Sequence, residues 1–215
     1  MSSDDASRSA RRRGRTREAL IGAARELIAD GRAAAASIQE ITERADVGFG
    51  SFYNHFASKP ELFDVATEAV LDDWADKVNT ALADMPDPAA RFVSGIRLTG
   101  RLATTDREFA HELLELGLRP LSATTGLAPQ GRRDLVDAVE QGRFDVADVD
   151  VALELAGGGL LALLHRVLSG GAETRAGSRD PDTAFSILSE QLLRACGMDP
   201  AEAREIAYRP LPEIS

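Results

Sequence analysis

Residues 37–56 read SIQEITERADVGFGSFYNHF, and this stretch decides the fold. Ser37 with Glu40 three positions on is a capping box: the hydroxyl takes an orphan N–H and the carboxylate reaches back. Ile38, Ile41 and Ala45 then share one face of a helix expected over 37–45. Asp46-Val47-Gly48 makes a tight turn. A second short helix, expected over 49–55, sets Phe52 and Phe56 four apart on one side. Upstream, Leu20, Ala24, Leu27 and Ile28 give a helix over 15–30 an apolar face on which both can pack. Two short helices crossing a third form a helix-turn-helix. Its logic is geometric. Once the apolar side of the second helix is pinned to a core, the other side is offered rigidly to a groove that admits one α-helix.

Phe49, Gly50, Ser51, Tyr53, Asn54 and His55 fall on that offered side. Gly50 allows close backbone approach. Tyr53, His55 and Lys59 can donate to phosphate oxygens, which fixes register. Ser51 and Asn54 can bond base edges, and Phe49 can touch a thymine methyl. Ser37 and Gln39, at the start of the first short helix, would meet the nucleic-acid backbone through free N–H groups.

Charge agrees when read by segment. The formal net charge of -10 argues against nucleic acid taken whole. Residues 1–60, however, carry ten basic side chains against eight acidic ones, and residues 61–215 carry fifteen against twenty-seven. Arg8, Arg11, Arg12, Arg13, Arg15 and Arg17 form a basic run that a polyanion would attract. Arg12, Arg13 and Arg15 are the expected contacts in it, on an arm over residues 1–14 expected to be disordered.

The run from Ala45 to Phe63 resembles the signature of the TetR/AcrR family of transcriptional regulators. Val47 stands in the turn, Tyr53-Asn54-His55-Phe56 ends the second short helix, and Ser58-Lys59 with Leu62-Phe63 opens the next. The strong resemblance covers residues 15–65. Asp46 stands where the family usually has Gly, a change that Asp tolerates in a left-handed turn. Thr42 replaces the usual Ala. The resemblance implies an all-α homodimer of nine or ten helices per subunit, with a DNA-reading domain over 15–58 and a ligand-binding and dimerisation domain over 59–208. It also implies a double-stranded DNA operator and a small-molecule effector.

Beyond residue 58 the punctuation is helical. Ser58-Lys-Pro-Glu61 is a second capping box, and Asp87-Pro88, Asp180-Pro181 and Asp199-Pro200 each set a capping carboxylate before a proline at the first helical position. Thr105-Asp-Arg-Glu108 starts another helix, and stops fall at Gly31, Gly117, Gly142, Gly170-Gly171 and Gly197. Helices are expected over 59–83, 88–103, 106–116, 130–141, 148–169, 181–196 and 200–207. Loops are expected over 118–129 and 170–180, with a frayed tail over 209–215. Trp74, Phe92, Ile96, Phe109 and Phe144 are candidates to line a ligand pocket, with Arg97, Arg101, His111 and Glu112 to orient a polar end.

The helix over 148–169 is apolar nearly all round and contains Gly157-Gly158-Gly159. Such a helix must be covered on both sides. Three glycines fit either the close approach of a twofold-related helix or a crossing within the chain. The resemblance implies a dimer interface there, for which Gly157, Gly158, Leu161 and Leu164 are the candidates. Ile187, Leu188 and Gln191 on the next helix would face them.

Other chemistries find little support. Cys196 is the one cysteine, and there are three histidines. Glu108-x-x-His111 lacks the second copy of a di-iron pair, and no phosphate-cradling glycine motif follows a strand. No metal, no cofactor and no catalysis are expected. The stretch Val151–Leu164 is too short to span a membrane, residues 1–14 lack a signal-peptide core, and a cytoplasmic location is expected. The alternative reading is a helical small-molecule-binding or interaction module whose helix-turn-helix no longer binds DNA.

Overall fold

The computed structural model describes residues 3–122, 126–170 and 180–214. Among them ten α-helices follow one another: α1 (Ser3–Ala29), α2 (Ile38–Arg44), α3 (Phe49–Phe52), α4 (Lys59–Ala81), α5 (Pro88–Thr105), α6 (Arg107–Leu116), α7 (Leu127–Glu140), α8 (Val149–Leu168), α9 (Pro181–Ala195) and α10 (Pro200–Ala207). A 3₁₀ turn at Arg119–Ser122 precedes α7, and the described residues contain no strand. The chain divides into two compact units, residues 1–70 and 71–215, so the division falls inside α4.

The first unit closes on the expected stripe. Leu20, Ala24, Leu27 and Ile28 of α1 pack with Ile41, Phe52, Phe56, Leu62 and Ala66. Full burial of a side chain such as Phe52 contributes about 1.5–3 kcal/mol. The Ser37 hydroxyl accepts from the Glu40 amide at 3.1 Å, while the Glu40 carboxylate turns to Arg32 at 2.7 Å. The second box closes more fully: Ser58 Oγ accepts from Glu61 N, and Glu61 Oε2 accepts from Ala57 N at 2.6 Å.

In the second unit α5 is the central helix. Thirteen of its eighteen residues are buried, and it packs against α7, α8, α9 and α10. Gly100 makes the α5–α9 approach possible, because a Cβ there would lie 2.4 Å from the Phe185 ring. The Asp87, Asp180 and Asp199 carboxylates cap their helices as the Asp-Pro pairs require.

Several expectations are corrected. Residues 3–14 continue α1 and are not a disordered arm. α3 stops at Phe52, and 53–55 form a turn. The cap of α6 is Asp106, whose carboxylate accepts from Phe109 N at 3.0 Å, not Thr105. Within 118–129, Arg119–Ser122 is helical and α7 begins at Leu127, where the Gly126 amide donates to Asp72 Oδ1 at 2.6 Å. The tail is packed: Leu211 and Ile214 lie on the core around Val78, Leu82 and Leu98. Residues 123–125, and residues 171–179 of the loop expected over 170–180, lie outside the described residues.

Candidate nucleic-acid interface and effector cavity

The turn between α2 and α3 depends on Asp46, which sits at φ 52. It is the one non-glycine residue in the left-handed region among those described, and Asp is one of the few that adopt it without large strain. Thr42 on α2 is buried, and its hydroxyl donates to the carbonyls of Ile38 and Gln39. The Val47 amide donates back to the Thr42 carbonyl at 3.0 Å, which closes the turn.

Phe52 and Phe56 are buried beneath α3. Phe49 and Tyr53 stand out from it at 53 % and 57 % exposure. Gly50 and Asn54 are exposed, and Ser51 and His55 half-buried. His55 is held below the ordinary histidine pKa, first by partial burial and then by Arg13 and Arg17. Arg13 Nη2 donates to the Asn54 carbonyl at 3.1 Å, and Arg17 lies over the Phe56 ring. Arg12 and Arg15 are exposed, as are Ser37 and Gln39. Lys59 departs from the expected role. Its ammonium donates to the carbonyls of Ala34 and Ala36 at 2.8 and 2.7 Å and faces Phe63, so two of its three protons tie α4 to the loop before α2.

The second unit holds a partly open cavity of about 100 Å³. Its walls come from α4 (Val78, Asn79), α5 (Phe92, Ile96, Thr99), the 3₁₀ turn (Leu121), α7 (Leu127, Gln130, Asp134) and α8 (Leu153, Leu160). Most of this surface is apolar. The polar end is built around Asp134, which is 3 % exposed and accepts from Arg91 Nε and Gln130 Nε2, both at 2.9 Å. Burial raises the Asp134 pKa, and the bonds from Arg91 and Gln130 oppose that rise. Arg91 is anchored in turn on the Met85 carbonyl at 3.0 Å.

Of the residues expected at a pocket, Phe92 and Ile96 line the cavity. Phe144 lies behind Phe92 in the core. Trp74 donates from Nε1 to Thr99 Oγ1 at 3.2 Å and stacks edge-on with Phe109, so both sit beside the cavity and outside its lining. Arg97 is buried away from the cavity against the tail, Arg101 pairs with Asp182, and His111 is exposed. Glu112 is half-buried on α6, where desolvation and then Asp106, Glu115 and Glu108 push it up to about 7. Sequence reasoning missed Arg91, Gln130 and Asp134. One signal was present: Asp134 interrupts the apolar stripe Gly131, Leu135, Ala138 of α7.

The glycine triplet on α8 divides its work. A Cβ at Gly157 would lie 2.5 Å from Leu121 and one at Gly159 2.8 Å from Leu188, both within the chain, whereas one at Gly158 would meet nothing. Leu164 is fully buried. Gly157 and Leu164 therefore face inward, and Leu188 packs on the core. The outer face of α8 presents Val151 and Leu155 at 60 % and 56 % exposure, then Gly158 and Ala162. Leu161 and Ile187 are half-buried and Gln191 is exposed. The full helix runs twenty residues and is, by length and composition alone, the one described helix able to cross a membrane.

Residues 20–66 match the family described as bacterial regulatory proteins, tetR family, and residues 87–209 match the tetracyclin repressor-like C-terminal domain. The structure of RolR in complex with resorcinol is 35 % identical over 96 % of this chain and 100 % of that one, with a TM-score of 0.79. The chain belongs to the TetR family of bacterial transcriptional regulators. RolR without ligand is 33 % identical over 92 % of this chain and 100 % of its own, TM-score 0.73. FadR from Bacillus halodurans, at 20 % identity over 82 % and 94 %, TM-score 0.58, shares the fold. A search of curated proteins gives no match. Like its TetR-family relatives, the chain is a ligand-responsive transcriptional regulator with a helix-turn-helix.

Proposed function

We propose that this TetR-family regulator is a cytoplasmic repressor that grips a palindromic operator as a homodimer and lets go on binding a small hydroxylated aromatic molecule. The observation that carries the effector class is the cavity. It offers apolar walls from Phe92, Ile96 and Leu153, and one buried carboxylate, Asp134, at the polar end. An apolar ring suits such walls, and a phenolic hydroxyl can donate to the carboxylate. A partly open cavity of about 100 Å³ suits a small molecule. RolR, the relative at 35 % identity, is bound to resorcinol.

Operator contacts fall to α3 (Phe49, Gly50 and Ser51) and the turn that follows it (Tyr53, Asn54 and His55), with Arg12, Arg13, Arg15, Ser37 and Gln39 on the phosphates. The dimer forms through the outer face of α8, around Val151, Leu155, Gly158 and Leu161, together with Ile187 and Gln191 of α9. The effector shifts operator binding only by its differential affinity for the bound and released forms.

The test is calorimetry with resorcinol on the full chain and on Asp134→Asn, followed by release of an operator fragment selected from random DNA. A hydrogen bond to a buried charge is worth about 1.5–3 kcal/mol, so the substitution weakens resorcinol roughly 10- to 100-fold and leaves operator binding in its absence intact. Equal affinity in the two proteins would remove the assigned role of Asp134. No binding to the full chain would remove the phenol reading.

A further inference from the structure

Residues 209–214 form an extended ribbon. α10 stops at Ala207, and Pro210 and Pro212 bar a further helical turn, because each drives the residue before it to extended backbone. Leu211 and Ile214 are half-buried on Val78, Leu82 and Leu98, with Trp74, Met85 and Leu127 alongside. Val78, Leu82 and Leu127 also line the cavity. Val78 and Leu82 thus belong both to the cavity lining and to the cluster on which the tail packs.

The ribbon is fastened at its start by Arg97. This side chain is buried; its Nη1 donates to the Arg209 carbonyl at 2.8 Å, and its Nε has no acceptor among the described residues. Of the charges around it, Arg101 opposes its charge, while Asp182, itself paired with Arg101 at 2.9 Å, and Tyr208 favour it. The buried Nε left without an acceptor is poorly compensated. Lifting the ribbon hydrates Arg97, whereas closing it covers Leu211 and Ile214. Opposed terms of this kind suit an element with two states.

We propose that residues 209–214 are a closing strap of the effector cavity, latched by Arg97, which holds Val78 and Leu82 in place against the bound molecule. The strap rests on the reading of the cavity as an effector site. The effector binds the strapped form, so its measured affinity falls with the fraction strapped.

Trp74 is the only tryptophan, hydrogen-bonded to the cavity residue Thr99 and packed in the cluster that receives the tail. Its fluorescence therefore reads both. The experiment compares the full chain with a chain ending at Tyr208 and with the full-length Leu211→Ser/Ile214→Ser variant. Circular dichroism checks folding; should the shortened chain lose helix, the double variant carries the comparison. Acrylamide quenching of Trp74 is expected to rise in both variants. Resorcinol is expected to bind about tenfold more weakly, the scale of one aliphatic side chain leaving its site. Operator binding without resorcinol is expected to stay unchanged. Equal resorcinol affinity in all three proteins overturns the strap, whatever the quenching shows. If resorcinol fails to bind even the full chain, the phenol reading falls, and quenching alone then decides: a rise in the variants supports the strap, and no rise overturns it.

Discussion

Phe52 and Tyr53 are neighbours in the chain with opposite fates: the first is wholly buried and the second more than half exposed. One residue of rotation on a helix moves a side chain by about 100°, which separates anchoring from reading. Because the Tyr53 ring packs only at its edge on Phe49 and Phe52, Tyr53→Ala should leave folding unchanged and weaken operator binding about tenfold, the scale of one lost contact. An electrophoretic mobility shift with a thermal melt checks both halves. Lys59→Ala should behave differently and lower the melting temperature, since its ammonium holds the carbonyls of Ala34 and Ala36. Glu112 gives a pH signature. Its folded pKa of about 7 lies above the ordinary 4.5, because half-burial and three neighbouring carboxylates disfavour the charge. The folded chain then holds a proton that the unfolded chain has lost, so this stability is full below pH 4.5 and disappears as pH rises through 7. Glu112→Gln should match the parent at pH 4 and exceed it at pH 8 by on the order of 1 kcal/mol, after allowance for partial exposure. Denaturant melts at the two pH values read the difference.

At the scale of elements, caps decide where helices begin and close contacts decide how they cross. Asp87, Asp106, Asp180 and Asp199 each accept from an amide of the first turn, and all are local to the helix they start. Crossings are different. Gly100 and Gly158 are both helical glycines, yet one lies under the Phe185 ring and the other faces open space. Gly100→Ala should therefore cost about 1–3 kcal/mol through overpacking. Gly158→Ala should leave the subunit intact or stabilise α8 by up to about 1 kcal/mol, while weakening self-association if a partner helix approaches there. Chemical denaturation and sedimentation equilibrium on the two variants separate these effects.

For the molecule as a whole, charge is partitioned between a basic start and an acidic remainder. Operator affinity should fall steeply with salt, by a slope of about 0.9 per phosphate neutralised. Arg12→Gln should flatten that slope by about one contact, and fluorescence anisotropy at several salt concentrations measures it. A slope near zero in the parent would count against operator binding through the arginines. Along α4, Leu62 and Ala66 belong to the core of the first unit and Val78 to the wall of the cavity. A single helix thus carries residues of both the reading unit and the sensing unit.

How much could be read without coordinates follows from distance along the chain. The helix-turn-helix spans twenty residues, so its cap, its turn and its two phenylalanines were visible in residues 37–56 alone. The Asp-Pro starts and glycine stops were visible for the same reason, because a cap acts on amides two or three positions away. The cavity was not visible. Arg91 meets Asp134 across 43 positions, Trp74 meets Thr99 across 25, and Arg97 meets Arg209 across 112. No periodicity encodes such meetings, since they depend on which helix faces come together after every helix has formed. The same holds for the glycine triplet, whose three residues look alike in a string of letters and acquire Leu121, open space and Leu188 as neighbours only once packed. Local backbone chemistry wrote the elements; the burial of apolar faces against partners remote in sequence chose the site.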